Sequence, residues 1–490
     1  MKKCLSMVLA LVLVLSLAVM GHAAPAEGTP KYVFMFIADG QGSPQISATQ
    51  FYLGTLANPE APVPVPAPLS FTSFPYTGIM TTYDATSFCP DSASTATSMA
   101  SGEKTLSGVL NYNTELTESF KLITEYAKEA GRKVGVLTSV SLDHATPAAY
   151  YAKAKSRSEY YNISVQGLTG GTVDLLGGGG FLQVKGKEGD QADLLALAQE
   201  NGFTLALDNE AIRATTADAE RTLMIVPDLD NAMGMQYEID RVRKTAAGED
   251  SMSLADLTTQ AITVLDNPEG FFMMVEGGKV DWSGHANDAK TSILETIAFS
   301  DAVQVAVDFA AAHPGEVLII VTGDHETGGL TIGFATTAYE THFDYLFAQD
   351  ISFTDFDAII TKLRNDGASF EDAMAEIEAH YGLTATPEQA LTLSEAELAK
   401  LQDAFAVSMT PSVERQIGAA EQLAYGGYEP LSMALCHLLN NKAGIAYTSY
   451  AHTGLQIPVY AVGTGAETFL GSYDNTDIFT KTMAAMGIAK

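Results

Sequence analysis

The stretch Val317-Leu-Ile-Ile-Val-Thr-Gly-Asp324-His325-Glu-Thr-Gly-Gly329 is an unbroken apolar run that ends in two metal-binding side chains and a glycine turn. A strand with one face in water alternates apolar and polar residues, whereas a strand covered on both faces does not. Val317 to Thr322 therefore predicts a strand buried on both sides, the setting of a parallel sheet between layers of helices. The same pattern recurs at Tyr32 to Ala38, Val134 to Leu137, Phe271 to Val275 and Ile457 to Val462. Helix-like segments such as Glu118 to Ala130 and Ala255 to Leu265 lie between these runs. Strand and helix in alternation give an α/β fold class, with a central mostly parallel sheet flanked by helices on both faces. In such sheets ligands bind outside the carboxyl ends of the strands, where loops carry the chemistry on a rigid frame.

Six segments put acidic, hydroxyl or imidazole groups where that rule expects them. They are Ile37-Ala-Asp39-Gly, Pro90-Asp-Ser92-Ala, Asp143-His144-Ala-Thr146-Pro, Val275-Glu276-Gly-Gly-Lys-Val-Asp281-Trp282-Ser-Gly-His285, Asp324-His325 and Ala451-His452-Thr-Gly. None is a complete site alone, so they must meet in space. Zinc takes tetrahedral sets of His nitrogen and carboxylate oxygen, and a catalytic zinc keeps one position open. Asp281, His285 and His452 make one such three-ligand set. Asp39, Asp324 and His325 make a second, with the Ser92 oxygen as its fourth ligand. Glu276, Thr146 and a shared Asp39 oxygen offer a harder, oxygen-only environment of the kind magnesium prefers. Taken singly, each motif has an ordinary structural reading: Asp91 as a helix N-cap, Asp324-His325 as a polar turn, Arg157 as a solvated charge. Independent surface residues have no reason to recur in this order at strand ends. His313, His342, His380 and His437 lack a carboxylate at ligand spacing and read as structural. Gly177 to Gly180 reads as a strand-exit turn, since it lacks the spacing of a dinucleotide loop.

In this order the motifs resemble the alkaline phosphatase family, over roughly residues 30–335 and 445–485. The resemblance implies an alkaline phosphatase-like fold that holds two zinc ions and one magnesium, with Ser92 as a phosphorylated nucleophile. Arg157, thirteen residues after His144, stands at the spacing of the family's phosphate-clamping arginine, and the family usually dimerises. The best-known bacterial pattern has Asp in place of His144 and Lys in place of Trp282, and other members carry His and Trp there. An imidazole at the third site favours a softer ion, cobalt or zinc, over magnesium. Loss of the Lys charge loosens the hold on phosphate. The implied reaction is hydrolysis of small-molecule phosphate monoesters at alkaline pH through a phosphoserine, with coordination to zinc replacing the His base of a hydrolase triad. The alternatives are a phosphodiesterase or sulfatase-like hydrolase of the same superfamily, and a non-catalytic metal- or phosphate-binding secreted protein. Ser92 with Arg157 fits monoester chemistry better.

Composition narrows the setting. The 490 residues hold 27 Lys and Arg against 59 Asp and Glu, a net charge of −32. Binding to nucleic acid or anionic lipid needs basic patches, which this balance disfavours. Residues 1–26 have the basic start, apolar run from Leu5 to Met20 and small residues up to Ala26 of a signal peptide. Export to a periplasmic or extracellular location follows, with no later stretch long enough to span a membrane. Cys4 leaves with the signal, a disulfide between Cys89 and Cys436 is unsupported, and Cys89 is expected in the core. Residues 27–490 read as one α/β domain, because His452 and the strand after it belong with the N-terminal ligands. A helical insertion, residues 335–442, carries helix-start signals at Thr354, Ser369, Thr386-Pro387 and Ser394. Pro62 to Pro68 reads as a stiff extended connector.

Overall fold

The computed structural model describes residues 28–61, 63–416 and 418–490. The signal-peptide reading of residues 1–26, with Cys4, lies outside the described residues. Ten strands form one sheet: β1 (Tyr32–Ala38), β2 (Tyr76–Thr81), β3 (Lys133–Thr138), β4 (Leu175–Gly178), β5 (Phe203–Ala206), β6 (Arg221–Ile225), β7 (Phe271–Glu276), β8 (Val317–Gly323), β9 (Ile457–Gly463) and β10 (Gly471–Asp474). Their order across the sheet is β10-β2-β9-β8-β1-β7-β3-β4-β6-β5. Strand β9 runs antiparallel to both of its neighbours, and every other pairing is parallel.

The central strands are buried on both faces, as their continuous apolar sequences require. Along β1, Val33, Met35 and Ile37 enter the core on one side of the sheet, while Phe34, Phe36 and Ala38 enter the core on the other. Successive side chains of a strand point to opposite faces, so both layers must be apolar. Register then aligns the strand ends: Ile37 lies opposite Glu276 and Thr322, and Thr138 lies opposite Glu276. Four strands finish at one level, and the residues that follow them share a single rim.

The helical segment near the C-terminus leaves and returns through a two-stranded ribbon, Thr331–Ile332 against Ile445–Ala446. The Gly333 amide donates to the Gly444 carbonyl at 2.7 Å just beyond it. Between them lie the helices Phe353–Asp366, Phe370–Tyr381, Glu395–Ser408, Ala419–Tyr425 and Pro430–Ala443. Their apolar faces form one cluster that also takes in Ala48, Tyr52, Ala289 and Ile293 of the main body.

Sequence expectation and structure differ in four local places. The helix expected from Glu118 begins only at Ile123. Residues before it are pulled into a bridge in which Phe120 and Asn113 exchange backbone hydrogen bonds with Asn111 and Glu118. The helix assigned to Thr354 starts earlier, capped by Ser352, whose hydroxyl accepts from the Asp355 amide at 3.1 Å. Thr386-Pro387 opens a turn instead of a helix, because the Thr392 hydroxyl accepts from the Gln389 amide and donates to the Thr386 carbonyl. Cys89, expected in the core, is exposed, whereas Cys436 is buried, and both are free thiols. The Cys89 amide donates to the Ser87 hydroxyl, which holds the short loop before Ser92 at the surface.

Candidate active site

Each predicted side chain arrives on a different element. Asp39 and Asp324 are the first residues after β1 and β8, and Glu276 is the last residue of β7. Ser92 opens the helix Ser92–Ser101, whose N-cap is Asp91, accepting from the Ser94 amide at 3.0 Å. A helix N-terminus carries partial positive charge and free amides, a favourable place for an anion. Asp281 and His285 stand four residues apart, on one face of the helix Lys279–His285. His452 comes from far along the chain on an antiparallel ribbon, His452–Thr453 against Glu326–Thr327, with His452 opposite Thr327. Glu326 fastens that ribbon: it accepts from Gln45 Nε2 at 2.7 Å, from the Gly329 and Leu330 amides at 3.1 Å, and from Thr453 Oγ1.

Donor spacing decides what these groups can hold. Ligands placed tetrahedrally about 2.0–2.1 Å from a zinc stand about 3.3 Å from one another. His325 Nε2 lies 3.2 Å from Ser92 Oγ, from Asp39 Oδ1 and from Asp324 Oδ2, and Ser92 Oγ lies 3.4 Å from Asp39 Oδ1. In the other set His285 Nε2 is 3.3 Å from Asp281 Oδ2, His452 Nε2 is 3.4 Å from Asp281 Oδ1, and the two Nε2 atoms are 3.1 Å apart. Both sets have the dimensions of a zinc site. His325 also stacks on His452 at 3.6 Å between ring centroids, and Asp281, His325 and His452 form a further group within ligand range.

The protons point the same way. His285 Nδ1 meets the Tyr450 carbonyl and His452 Nδ1 meets the Pro90 carbonyl, each at 2.6 Å. A carbonyl can only accept, so both Nδ1 atoms donate, and the two Nε2 lone pairs face each other. One extra proton, or one cation, must sit between them. Burial opposes charge on His285, but Asp281 outweighs it and raises the imidazole to about 9. Thr327 Oγ1 donates to Asp281 Oδ1, which leaves its lone pairs to receive His325 Nδ1 at 3.3 Å. That fixes the His325 tautomer with Nε2 free toward Ser92.

The third group joins Asp39, His144 and Glu276 within ligand range, with Thr146 Oγ1 donating to Asp39 Oδ2 at 3.3 Å. Glu276 accepts from Thr138 through one oxygen. Its other oxygen, and Nδ1 of His144, are buried with no hydrogen-bond partner among the described residues. Burial, with Asp324 and Asp281 adding repulsion, pushes Glu276 up to about 8, and burial with the same neighbours raises Asp39. Four buried carboxylates at such spacing are stable only when protonated or neutralised by cations. The donors fit divalent ions at all three positions.

Arg157 stands at the mouth. Its Nη1 pairs with Asp91 Oδ2 at 3.0 Å and its Nη2 donates to His144 Nε2 at 3.2 Å. Burial works against the Asp91 charge, but Arg157 and the Gly108 and Ser94 amides hold it below the ordinary carboxylate range. Burial, then Arg157, pushes His144 down to about 3, and its ring meets the edge of Trp282 at 5.7 Å.

Every sequence-predicted site residue thus falls in one neighbourhood. The sequence reading missed the residues that orient them: Thr327, Glu326, Gln45, Thr138, and Thr95, which donates to Asp324 Oδ2 at 2.9 Å. Thr95 alone carried a signal, one turn beyond Ser92 on the same helix face. The readings of His342 and His380 need correction, since Glu340 lies 3.8 Å from His342 Nε2, and Asp350 lies 2.8 Å and Glu376 3.9 Å from the His380 ring nitrogens. Asp350 is distant in sequence, and the pair lies in the helical segment away from the strand ends.

A largely parallel sheet whose central strands bring buried carboxylates and imidazoles to a helix-terminal serine defines a metal-binding α/β hydrolase. Comparison with known proteins agrees with that class. The chain belongs to the alkaline phosphatase family, whose model matches residues 30–488. Alkaline phosphatase 3 of Bacillus subtilis (strain 168) is 29% identical over 466 residues, covering 93% of this chain and 89% of that protein. The crystal structure of the cold-active alkaline phosphatase of a psychrophilic Shewanella sp. superimposes with a TM-score of 0.74 at 25% identity, over 93% of this chain and 99% of that one. The Thermus thermophilus alkaline phosphatase shares the fold, with a TM-score of 0.76 at 23% identity over 96% of each chain. The chain is an enzyme that hydrolyses phosphate monoesters, and the phosphodiesterase, sulfatase-like and non-catalytic readings are not favoured.

Proposed function

We propose that Ser92 is the nucleophile and that hydrolysis runs through a phosphoserine. The carrying observation is Ser92 Oγ at a helix N-terminus, 3.2 Å from an His325 Nε2 whose proton sits on the opposite nitrogen. The same His325 Nε2 lone pair also faces Asp39 and Asp324 at 3.2 Å, so the four groups suit a shared cation that takes the place of a general base. Zinc fits the two nitrogen-containing sets, Asp281/His285/His452 and Asp39/Ser92/Asp324/His325. When bound, zinc supplies the charge that ionises the serine, neutralises the phosphoryl oxygens and acidifies a water. The chain's own groups do the rest. The Ser92 helix offers its amides to the phosphoryl group. Arg157, braced by Asp91, clamps non-bridging oxygens with the N–H groups its two partners leave free. Two in-line displacements give retention at phosphorus.

The third ion, held by Asp39, Glu276 and Thr146 with His144 beside them, is magnesium while His144 Nε2 takes the Arg157 hydrogen bond and Nδ1 keeps its proton, or cobalt or zinc where His144 turns an unprotonated nitrogen to the ion. The orphaned Glu276 oxygen supports a cation there. Residues 335–442 are an insertion within a single α/β domain, 27–490, a reading supported by the ribbon that closes its base. The chain is exported to a periplasmic or extracellular location and works as a homodimer. The N-terminal sequence pattern supports export, and among the described residues no helix is long and apolar enough to cross a membrane.

The test is hydrolysis of p-nitrophenyl phosphate at alkaline pH, after chelation and separate readdition of zinc, magnesium and cobalt. Zinc is expected to restore turnover, and the second ion that raises it further identifies the third site. Full turnover in the chelated protein would refute the metal-dependent reading.

A further inference from the structure

Lys279 is the one lysine among the described residues with a fully buried side chain, and it takes no part in the chemistry above. Its ammonium lies 2.6 Å from Asp230 Oδ2, donates to the Met235 carbonyl, and sits over the Tyr237 ring at 3.7 Å. Three N–H groups thus have three partners. Asp230 spends its other oxygen on the loop it belongs to: Oδ1 accepts from the Ala232 amide at 2.8 Å and the Gly234 amide at 2.9 Å. The Asp230 amide donates to the Gly234 carbonyl and the Met233 amide to the Asp230 carbonyl, with Met233 held in the left-handed region at φ 60°. This tight loop is stapled to the segments around the site. The Met233 carbonyl receives the Gly180 amide, and the Met235 amide donates to the Ser139 carbonyl. The Ser139 hydroxyl receives the Gly278 amide at 2.9 Å, one residue before Lys279.

The loop has one contact that reaches the phosphate seat. A Cβ on Gly234 would lie 3.2 Å from Trp282 Cζ3, so the indole rests against the bare backbone of this glycine. Trp282 meets the His144 ring edge-on, and His144 Nε2 receives Arg157. The path runs from Lys279 through Asp230 and Gly234 to Trp282, whose ring the Lys279 ammonium also faces directly at 5.5 Å, and on through His144 to Arg157.

We propose that the buried Lys279 and the half-buried Asp230 are a positioning pair, which fixes the 229–235 loop as the rear wall of Trp282 and thereby sets where Arg157 holds phosphate. The pair touches neither substrate nor metal ligands; it acts through the wall. The proposal rests on the reading of Arg157 as a phosphate contact.

Trp282 is the only tryptophan in the chain, so indole fluorescence reports this wall alone. The experiment compares the metal-loaded wild type with Asp230→Asn, Gly234→Ala and, as control, Arg157→Ala. It reads tryptophan emission and acrylamide quenching, inhibition by inorganic phosphate, kcat and KM, and zinc content. Asp230→Asn leaves the loop amides an acceptor but strips Lys279 of its counter-charge. Gly234→Ala keeps both charges and sets a Cβ 3.2 Å from Trp282 Cζ3 and 3.3 Å from Asp230 Oδ2, so it presses on the indole and on the pair together. Both are expected to shift emission and to raise KM and the phosphate inhibition constant about threefold or more, with kcat falling less and zinc content unchanged. If Asp230→Asn does not fold, Gly234→Ala decides. Unchanged phosphate inhibition in the folded variants, with or without an emission shift, overturns the positioning role. Unchanged inhibition in Arg157→Ala overturns the reading of Arg157 instead.

Discussion

Thr327 shows how much of the site is settled by a single hydroxyl. It donates to Asp281 of one metal set and receives Nδ1 of His325 from the other, so one proton arrangement governs both. Orienting partners of this kind typically carry 10–100-fold of metal affinity. Thr327→Val keeps the shape and removes both hydrogen bonds, and zinc affinity measured by chelator competition is expected to fall by about that factor. Wild-type affinity in the folded variant would contradict the assignment. The candidate ligands were legible in the sequence because Asp, Glu and His after apolar runs have few other uses. Thr327, Glu326 and Gln45 were not. Threonine and glutamine are common polar residues, and their role here comes from contacts such as Gln45 to Glu326, 281 positions away.

At the scale of elements, the long central strands were readable to within a residue or two, because burial on both faces leaves an uninterrupted apolar signature. The antiparallel direction of β9 was not readable, since its apolar run Ile457 to Val462 is as continuous as those of the parallel strands. The outer strands β2 and β10 escaped notice for a related reason: at the sheet's margin many of their residues are exposed or half-buried and their sequences lose the signature. Helix starts failed where a nearby hydroxyl offered a better partner, as Ser352 did for the cap expected at Thr354. The element most specific to function is the short ribbon carrying His452. It turns at Gly328, where φ is +91° and an added Cβ would stand 2.5 Å from a Tyr447 ring carbon and 2.8 Å from the Gly284 carbonyl oxygen. Gly328→Ala is therefore expected to displace the ribbon, lower bound zinc by one per chain and destabilise the fold by about 1–3 kcal/mol. Metal analysis with a thermal melt reads both. Full zinc content at unchanged stability would show that the ribbon tolerates the strain.

The whole molecule also carries buried acids outside the candidate metal-binding groups, and these tie its stability to pH. Glu295 is buried on the helix Ala289–Ala312, accepting from the Glu238 amide. Burial raises its carboxyl to about 8, with Lys279 partly opposing the shift. Its folded pKa lies above the unfolded value, so stability is greatest below the unfolded pKa of about 4.5. Between there and about 8 the unfolded chain releases a proton that the folded chain keeps, and stability falls as pH rises. Glu295→Gln keeps the acceptor and removes this loss. The variant is expected to match the wild type at pH 4 and to exceed it by at most a few kcal/mol at pH 9. Parallel pH profiles would place the titration elsewhere. The single-domain reading came from the sequence by one argument, that His452 must rejoin ligands from the first third of the chain. On the proposed mechanism, these distant residues converge on a serine that accepts the phosphoryl group. Acid quenching of the zinc-loaded protein during p-nitrophenyl phosphate turnover, followed by peptide mass spectrometry, tests it most directly. One phosphate is expected on Ser92, and neither phosphate nor turnover in Ser92→Ala; sustained turnover by Ser92→Ala, or phosphate on another residue, would rule out the phosphoserine route.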